Sequence, residues 1–239
     1  MRSHRLSRRP VYLQLRDALA ERIAKGQSKP GIAIPNESDL AREFGVSSGT
    51  MRKALDLLES ERLVTRRQGR GTFVNDQTSK ELALRFNNVR GAGGQRIVGK
   101  ISSAEMTEGA ASQTECRHLQ LQPRDHVYRI RHVLLHDDQP YMVKEASIPA
   151  ALFPGLTEAQ SASYRIVALA QQFGILLGKA TEDVSIEMAS EAVAKTLGIA
   201  TASPILVLDR VIYALDERPV EWRIGRCHPA DRYYLAETT

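Results

Sequence analysis

The apolar residues of the first third of the chain recur at helical steps. In "VYLQLRDALAERIAKG", Tyr12, Leu15, Leu19 and Ile23 fall on one face, behind a proline (Pro10) suited to a first turn and ahead of a stop near Gly26. "KPGIAIP" then breaks the chain. "ESDLAREF" predicts a short second helix with Leu40, Ala41 and Phe44 turned inward, ended by Gly45, with Val46 filling the space between helices. Ser47 or Ser48 can cap a third helix through "GTMRKALDLLESE", whose inner stripe is Met51, Ala54, Leu55 and Leu58. Beyond Glu61 the pattern turns strand-like: Leu63 and Val64 predict a strand, "RRQGRG" a turn, and Thr72, Phe73 and Val74 the returning strand.

From residue 97 onward strand-like runs dominate: "IVGKISSAEM", "HVYRIRHVLLH", "QPYMVKEASIP", "ATEDVSIEMA", "PILVLDRVIYAL" and "RPVEWRIGRC", with "HDDQP" and "DERP" as hairpin turns. Helical stretches lie around "ECRHLQL", "YRIVALAQQFG" and "ASEAVAKTLG". The economical arrangement is an α+β domain, a mostly antiparallel sheet with helices on one side. "ECRHLQLQPRDHVYRIRHVLLHDDQPYMVKE" and "AVAKTLGIATASPILVLDRVIYALDERPVEW" echo each other, as two matched halves closing around a cleft would. The expected organisation is a first domain over residues 8–75, a polar, glycine-ended linker over 76–96 with a short structured piece at "ELALRF", and a second domain over 97–237.

Charge separates the two regions further. Residues 1–74 hold 15 Lys and Arg against 8 Asp and Glu, whereas residues 75–239 hold 18 against 20. A basic head on a near-neutral remainder points to a polyanion-binding module joined to a module with another task. Two short helices joined by a glycine-containing turn, followed by an arginine-rich hairpin, make a winged helix-turn-helix, whose second helix reads a DNA groove. On that helix Arg52 can reach a guanine edge or a phosphate, Lys53 lies beside it, and Thr50 and Ser48 can bond phosphate oxygens. Arg66, Arg67 and Arg70, around Gln68 and Gly69, form a projecting wing suited to phosphates or a narrow minor groove.

Other chemistry is thin. Cys116 and Cys227 are too few and too far apart for a disulfide framework or a metal knuckle, which fits a reducing cytoplasm. No stretch approaches the roughly 18 apolar residues needed to cross a bilayer, and "MRSHRLSRRP" lacks the apolar run of a secretory signal, so no membrane association is expected. The six histidines show no metal-ligand spacing, and no serine or cysteine sits in a nucleophile elbow. Neither a cofactor nor a catalytic residue is expected.

"IPNESDLAREFGVSSGTMRKALDLLESERLVTRRQGRGTFV" resembles the DNA-binding domain of the GntR family of bacterial transcription regulators. That resemblance implies that Glu37 is a structural glutamate, Arg52 the recognition-helix arginine, Thr50 a backbone-contacting hydroxyl and Gly69 the wing tip. It places Ser38, and Ser48 after Ser47, where members commonly carry DNA-contacting arginines. The region 97–236 is similar to the effector-binding UTRA domain of the HutC-type subgroup, whose fold is like chorismate lyase, and the resemblance implies that its sheet is also the dimerising part. "YRIRHVLLHDDQPYMVKEASIPAALFPGL", "SYRIVALAQQFGI" and "DERPVEWRIGRCHPADRYYL" carry that similarity. It implies a small-molecule site between the two halves, lined by Arg129 or Arg131, Glu145, Tyr164, Glu182, and Glu221 or Arg223. Ser163 stands one residue from the family's anion-holding serine. Guanidinium groups in such a site take carboxylate or phosphate, so an anionic effector is expected.

The resulting expectation is a homodimeric repressor of a metabolic operon, bound to a pseudo-palindromic double-stranded DNA operator and controlled by a small effector. The alternatives are a ligand-dependent activator, a DNA-binding protein whose lyase-like domain retains activity, and a non-specific architectural DNA binder. A shared fold alone does not confer catalysis.

Overall fold

The computed structural model describes residues 9–76, 84, 86–157, 160 and 165–236. The chain divides into two compact units, residues 1–79 and 80–239.

In the first unit, α1 (Val11–Ala24), α2 (Glu37–Phe44) and α3 (Ser48–Ser60) precede a hairpin of β1 (Val64–Arg67) and β2 (Gly71–Val74). Asn36 starts α2, its side-chain oxygen accepting the Asp39 N–H at 2.9 Å. Gly45 ends it at φ 65°, a left-handed turn that glycine adopts without a Cβ clash. Ser47, not Ser48, caps α3 by accepting the Thr50 N–H. Met51, Ala54, Leu55 and Leu58 are all buried, and α3 packs against both α1 and α2. The wing strands are longer than the sequence pattern predicts. Arg66 and Arg67 lie within β1, opposite Thr72 and Gly71, which leaves Gln68, Gly69 and Arg70 as the turn. Residues 31–34 run beside β2, with the Ile34 N–H donating to the Thr72 carbonyl at 2.9 Å.

The second unit is built on a six-stranded antiparallel sheet in the order β4-β5-β6-β9-β8-β7. Its strands are β4 (Lys100–Ala110), β5 (His126–His136), β6 (Gln139–Pro149), β7 (Leu177–Met188), β8 (Pro204–Ala214) and β9 (Pro219–Cys227). Helix α4 (Gln113–Leu119) lies between β4 and β5, and α6 (Glu191–Leu197) lies between β7 and β8. The chain therefore makes one β-α-β-β unit twice, and the copies join where β6 pairs with β9. That is the duplication the sequence echo predicts. Serines cap both equivalent helices, Ser112 on α4 and Ser190 on α6.

Helices cover both faces of the sheet, not one. α4 packs on β9 and β6, and α6 on β6. On the opposite face α5 (Ile166–Gln172) buries Ile166, Val167, Leu169 and Ala170 in the cluster that holds Ile130, Ala146, Ile148 and Phe153. The cause is visible in β6, where Tyr141 to Lys144 and Ala146 to Pro149 are buried in succession instead of alternating.

Part of the expected linker belongs to this unit as well. β3 (Val89–Arg90) pairs with β10 (Tyr233–Tyr234), and Val89 and Ile97 are buried with Tyr141, Met142, Leu208 and Cys227. A single apolar residue, Val89, among polar neighbours carries no periodicity, so the pattern hid this strand. Of the piece expected at "ELALRF", only Leu84 and Phe86 lie within the described residues.

Candidate nucleic-acid interface and ligand cavity

α3 presents Ser48, Arg52 and Lys53 to solvent, opposite its buried stripe. Arg52 is not loose there. Its Nη2 donates to Glu37 Oε1 at 2.8 Å, and its Nε lies 3.1 Å from Oε2. This two-point grip fixes the guanidinium plane, and the Glu37 carboxylate raises the Arg52 pKa further. Glu37 stands at the first position of α2, so one residue both opens a helix and aims the arginine of the next. Thr50 shares its hydroxyl with Ser47 at 2.8 Å, and Ser38 is exposed on the first turn of α2.

The wing arginines separate into two kinds. The Arg66 guanidinium bonds Asp56 and, at 3.3 Å, Glu59 on the outer face of α3, while its backbone N–H donates to Glu59 at 2.9 Å. It ties the hairpin to the helix and does not project, contrary to the sequence expectation. Arg67 lies over the Phe73 ring at 4.7 Å, and Gln68, Gly69 and Arg70 form the exposed tip. Gly69 takes φ 68°, which suits the tight turn.

In the second unit a cavity of about 110 Å³ opens on the α5 face and spans the seam between the two halves. Lys144, Arg165, Arg210 and Arg223 line it together with Glu182. Arg210 and Arg223 stand directly opposite each other on β8 and β9, an arrangement that costs energy unless counter-charge is near. Glu182 forms an ion pair with Arg210 and accepts the Tyr234 hydroxyl at 2.5 Å, while the fully buried Glu221 lies 4.0 Å from Arg223. Arg210 Nη1 is buried without a hydrogen-bond acceptor among the described residues. Burial and the nearby Arg223, against the pull of Glu221, bring the Lys144 ammonium down to about 7. The cavity is thus a cation-rich pocket with a buried donor, Arg210 Nη1, that has no acceptor among the described residues.

The sequence-predicted effector residues do not converge on one cavity. Glu182 and Arg223 line this one, and Glu221 points to the same face of the sheet. Arg129, Arg131 and Glu145 lie on the other face, in a more open groove with Trp222 and Ile224. There each is already engaged. Arg129 grips Glu115 at 2.8 and 2.7 Å, Arg131 is 3.5 Å from Thr196, and Glu145 accepts from Arg226 at 2.7 Å. Trp222 stacks on His118 of α4 at 4.5 Å. Ser163 and Tyr164 lie outside the described residues, and Arg165, which follows them, lines the seam cavity.

A model of the UTRA domain matches residues 96–234, and a model of the bacterial regulatory proteins of the gntR family matches residues 11–74. The chain belongs to the GntR family. It is a DNA-binding regulator of that family with a ligand-binding UTRA domain, not a member of a known enzyme class. The mannosyl-D-glycerate transport/metabolism system repressor MngR of Escherichia coli is 29% identical over 220 residues, 91% of each chain. The HTH-type transcriptional repressor NagR of Bacillus subtilis is 28% identical over 211 residues, 85% of this chain and 84% of that one. The ligand-binding domain of a GntR-family regulator from Bordetella bronchiseptica is 26% identical with a TM-score of 0.59, covering 65% of this chain and 98% of that domain. PhnF from Mycobacterium smegmatis shares the fold, at 22% identity and a TM-score of 0.56 over 94% of this chain and 99% of its own. GntR-family regulators generally bind DNA as dimers with small-molecule effectors. Among the described residues no group of three or more His, Cys, Asp or Glu could hold a metal, and no helix is long and apolar enough to cross a membrane.

Sequence reasoning passed over Lys144, Arg165, Arg210 and Glu115. Lys144 and Arg210 carried a signal, each being a lone cation inside an apolar strand run. Glu115 closes a capping box with Ser112 and takes further bonds from Arg129 and, at 2.7 Å, from Ser147. Burial works to raise its pKa, but these hydrogen bonds outweigh it and hold the carboxyl at about 2. A depressed carboxylate stabilises the fold above its ordinary value of 4.5 and loses that contribution as pH falls toward 2. Glu115→Gln should therefore cost about 2–3 kcal/mol at pH 7, with the gap to the unsubstituted protein closing between pH 4.5 and pH 2. Urea unfolding followed by the fluorescence of Trp222, the only tryptophan, measures this; a gap independent of pH would remove the carboxylate from this role.

Proposed function

We propose that the protein is a homodimeric repressor of a metabolic operon, released from or fixed on its operator by a small anionic metabolite bound in the seam cavity. The observation that carries the effector class is the facing pair Arg210 and Arg223, with buried Lys144 beside them and Arg165 at the same wall. An anion there would relieve like-charge repulsion and supply an acceptor for Arg210. Relatives similar over most of this chain are named repressors, one of them for mannosyl-D-glycerate transport and metabolism, which supports repression of a catabolic or transport operon.

On the DNA side, Arg52 reads a base edge in the major groove, and Lys53, Thr50 and Ser48 hold the backbone. Ser38 faces the same backbone from the start of α2. Arg67, Gln68, Gly69 and Arg70 lay the wing along the adjacent groove. Glu37, Ser47 and Arg66 act one step back: they aim Arg52, open α3 and brace the hairpin.

Arg52→Ala should weaken binding to the specific operator by about tenfold or more, with much less effect on random duplex. Equal losses on both, measured by fluorescence anisotropy, would remove Arg52 from base readout. Arg70→Ala should weaken all sites alike and flatten the salt dependence. A thermal-shift screen of the full chain against sugar phosphates, organic acids, amino acids and aromatic carboxylates should give stabilisation by an anion, since a ligand of the folded state raises its melting temperature. That stabilisation should vanish in Arg210→Met. Stabilisation by uncharged compounds alone, or an anion effect that survives Arg210→Met, would overturn the anionic reading of the cavity.

A further inference from the structure

Lys144 lies inside the buried run of β6 and lines the seam cavity. Its neighbours across the sheet are unlike each other. On β5 it stands opposite the fully buried His132, and on β9 opposite Gly225. A glycine there leaves the space beside the lysine stem open, and Gly225 lines the same cavity. Arg223 is two residues from Gly225 on the same face of β9, which makes it the diagonal neighbour of Lys144. Such diagonal pairs stand roughly 7–8 Å apart, within reach of long side chains. Arg210 faces Arg223 from β8, and Arg165 reaches the cavity from the start of α5. Glu182 on β7 and Glu221 on β9 are the carboxylates paired with these arginines.

An amine in these surroundings differs chemically from a surface lysine. Burial, and after it the positive charge of Arg223, brings its pKa down to about 7. Near neutral pH a large share is therefore the uncharged form, which is the nucleophile. Guanidinium groups beside it recognise carboxylate at two points. An anion holder and a nucleophile thus share one small chamber.

We propose that the seam cavity takes a 2-oxo acid, whose carboxylate is held by Arg223 and Arg210 and whose C2 is joined by Lys144 as an imine. This rests on the reading that the ligand of the cavity is a small anion. At about 110 Å³ the cavity lies well below the ~300 Å³ at which pockets for larger ligands begin, so a short acid is of the right size. In a 2-oxo acid the carbonyl carbon is bonded directly to the carboxylate carbon. Docking the carboxylate on Arg223 therefore brings the carbonyl toward the diagonal neighbour of that arginine. The uncharged amine adds to C2, forming the C–N bond, and one of its hydrogens passes to the carbonyl oxygen. The C–O bond then breaks, and the second amine hydrogen leaves with that oxygen as water. Nothing is oxidised or reduced, and water reverses the bond, so the ligand can leave again.

The test uses the full chain near neutral pH, with pyruvate and glyoxylate as the 2-oxo acids and lactate as the hydroxy acid matching pyruvate. Borohydride reduces an imine to a stable secondary amine, which intact-mass and peptide-mass measurements then locate. The expected result is a single adduct at Lys144, with the mass of the acid less one oxygen atom, and none with lactate. Lys144→Met should give no adduct there. Arg223→Met, which keeps the amine, should slow labelling by about tenfold or more, since it removes a charged hydrogen-bond donor; Trp222 fluorescence checks that both variants fold. Labelling that Arg223→Met leaves unchanged, or adducts confined to the α-amino group and exposed lysines, would overturn the proposal. Thermal stabilisation by pyruvate and lactate alike, with no reducible adduct, would overturn the imine while leaving the anionic reading intact. Absence of both an adduct and stabilisation by any anion of the screen would overturn both.

Discussion

Two arginines held face to face across neighbouring strands set the terms for the second unit. Arg210 and Arg223 occupy paired positions on β8 and β9, with Lys144 on β6, the next strand beyond β9, on the same face. The duplication of the β-α-β-β unit creates this situation, because it brings β6 and β9 together as central strands. Central strands are buried on both faces, so charge placed on them loses its water. Glu182 and Glu221 answer part of that charge. The remainder makes the ligand-free pocket electrostatically unfavourable, and an anion is the species that reverses the sign. On the proposed reading, affinity and folding energy are linked: the side chains that would recruit an anion are those whose burial weakens the fold without it.

The first unit solves the converse problem. Its cations must reach DNA, yet long side chains in solvent lose much entropy when they are ordered. Glu37 grips Arg52 at two points before any DNA is present, and Asp56 and Glu59 hold Arg66 so that the hairpin keeps its place beside α3. The acidic residues of a basic domain therefore serve to orient it. Arg67, Arg70 and Lys53, together with the hydroxyls at the start of α3, are the groups proposed to meet phosphates directly.

Much of this was legible in the sequence, for identifiable reasons. The stripe of Met51, Ala54, Leu55 and Leu58 follows helical period, and burial by neighbouring helices obeys the same period. The echo between the halves survives because each repeat must cap a helix, make a long strand and turn at a polar hairpin. Local pattern failed where tertiary contact decides. The β3 strand is two residues held by a partner more than 140 residues away. Arg129 and Arg131 looked like cavity residues because they alternate on one strand face. Nothing local to β5 says which face of the finished sheet carries the cavity, and the capping glutamate of α4 claims Arg129 from the other side. Lys144 was passed over because a cation in an apolar run reads as an interruption until the strands on both sides are known.

The most direct test of the charged seam is the urea midpoint of Lys144→Met at pH 7, read by Trp222 fluorescence with no ligand present. Burial holds the Lys144 pKa near 7, so below that pH the charged form weakens the fold, an effect that fades only as pH rises toward the ordinary lysine value. The account predicts a higher midpoint for Lys144→Met than for the unsubstituted protein, by an amount of order 3 kcal/mol in stability. It also predicts that the anion which stabilises the unsubstituted protein no longer does so. A lower midpoint, or an undiminished response to that anion, would contradict it.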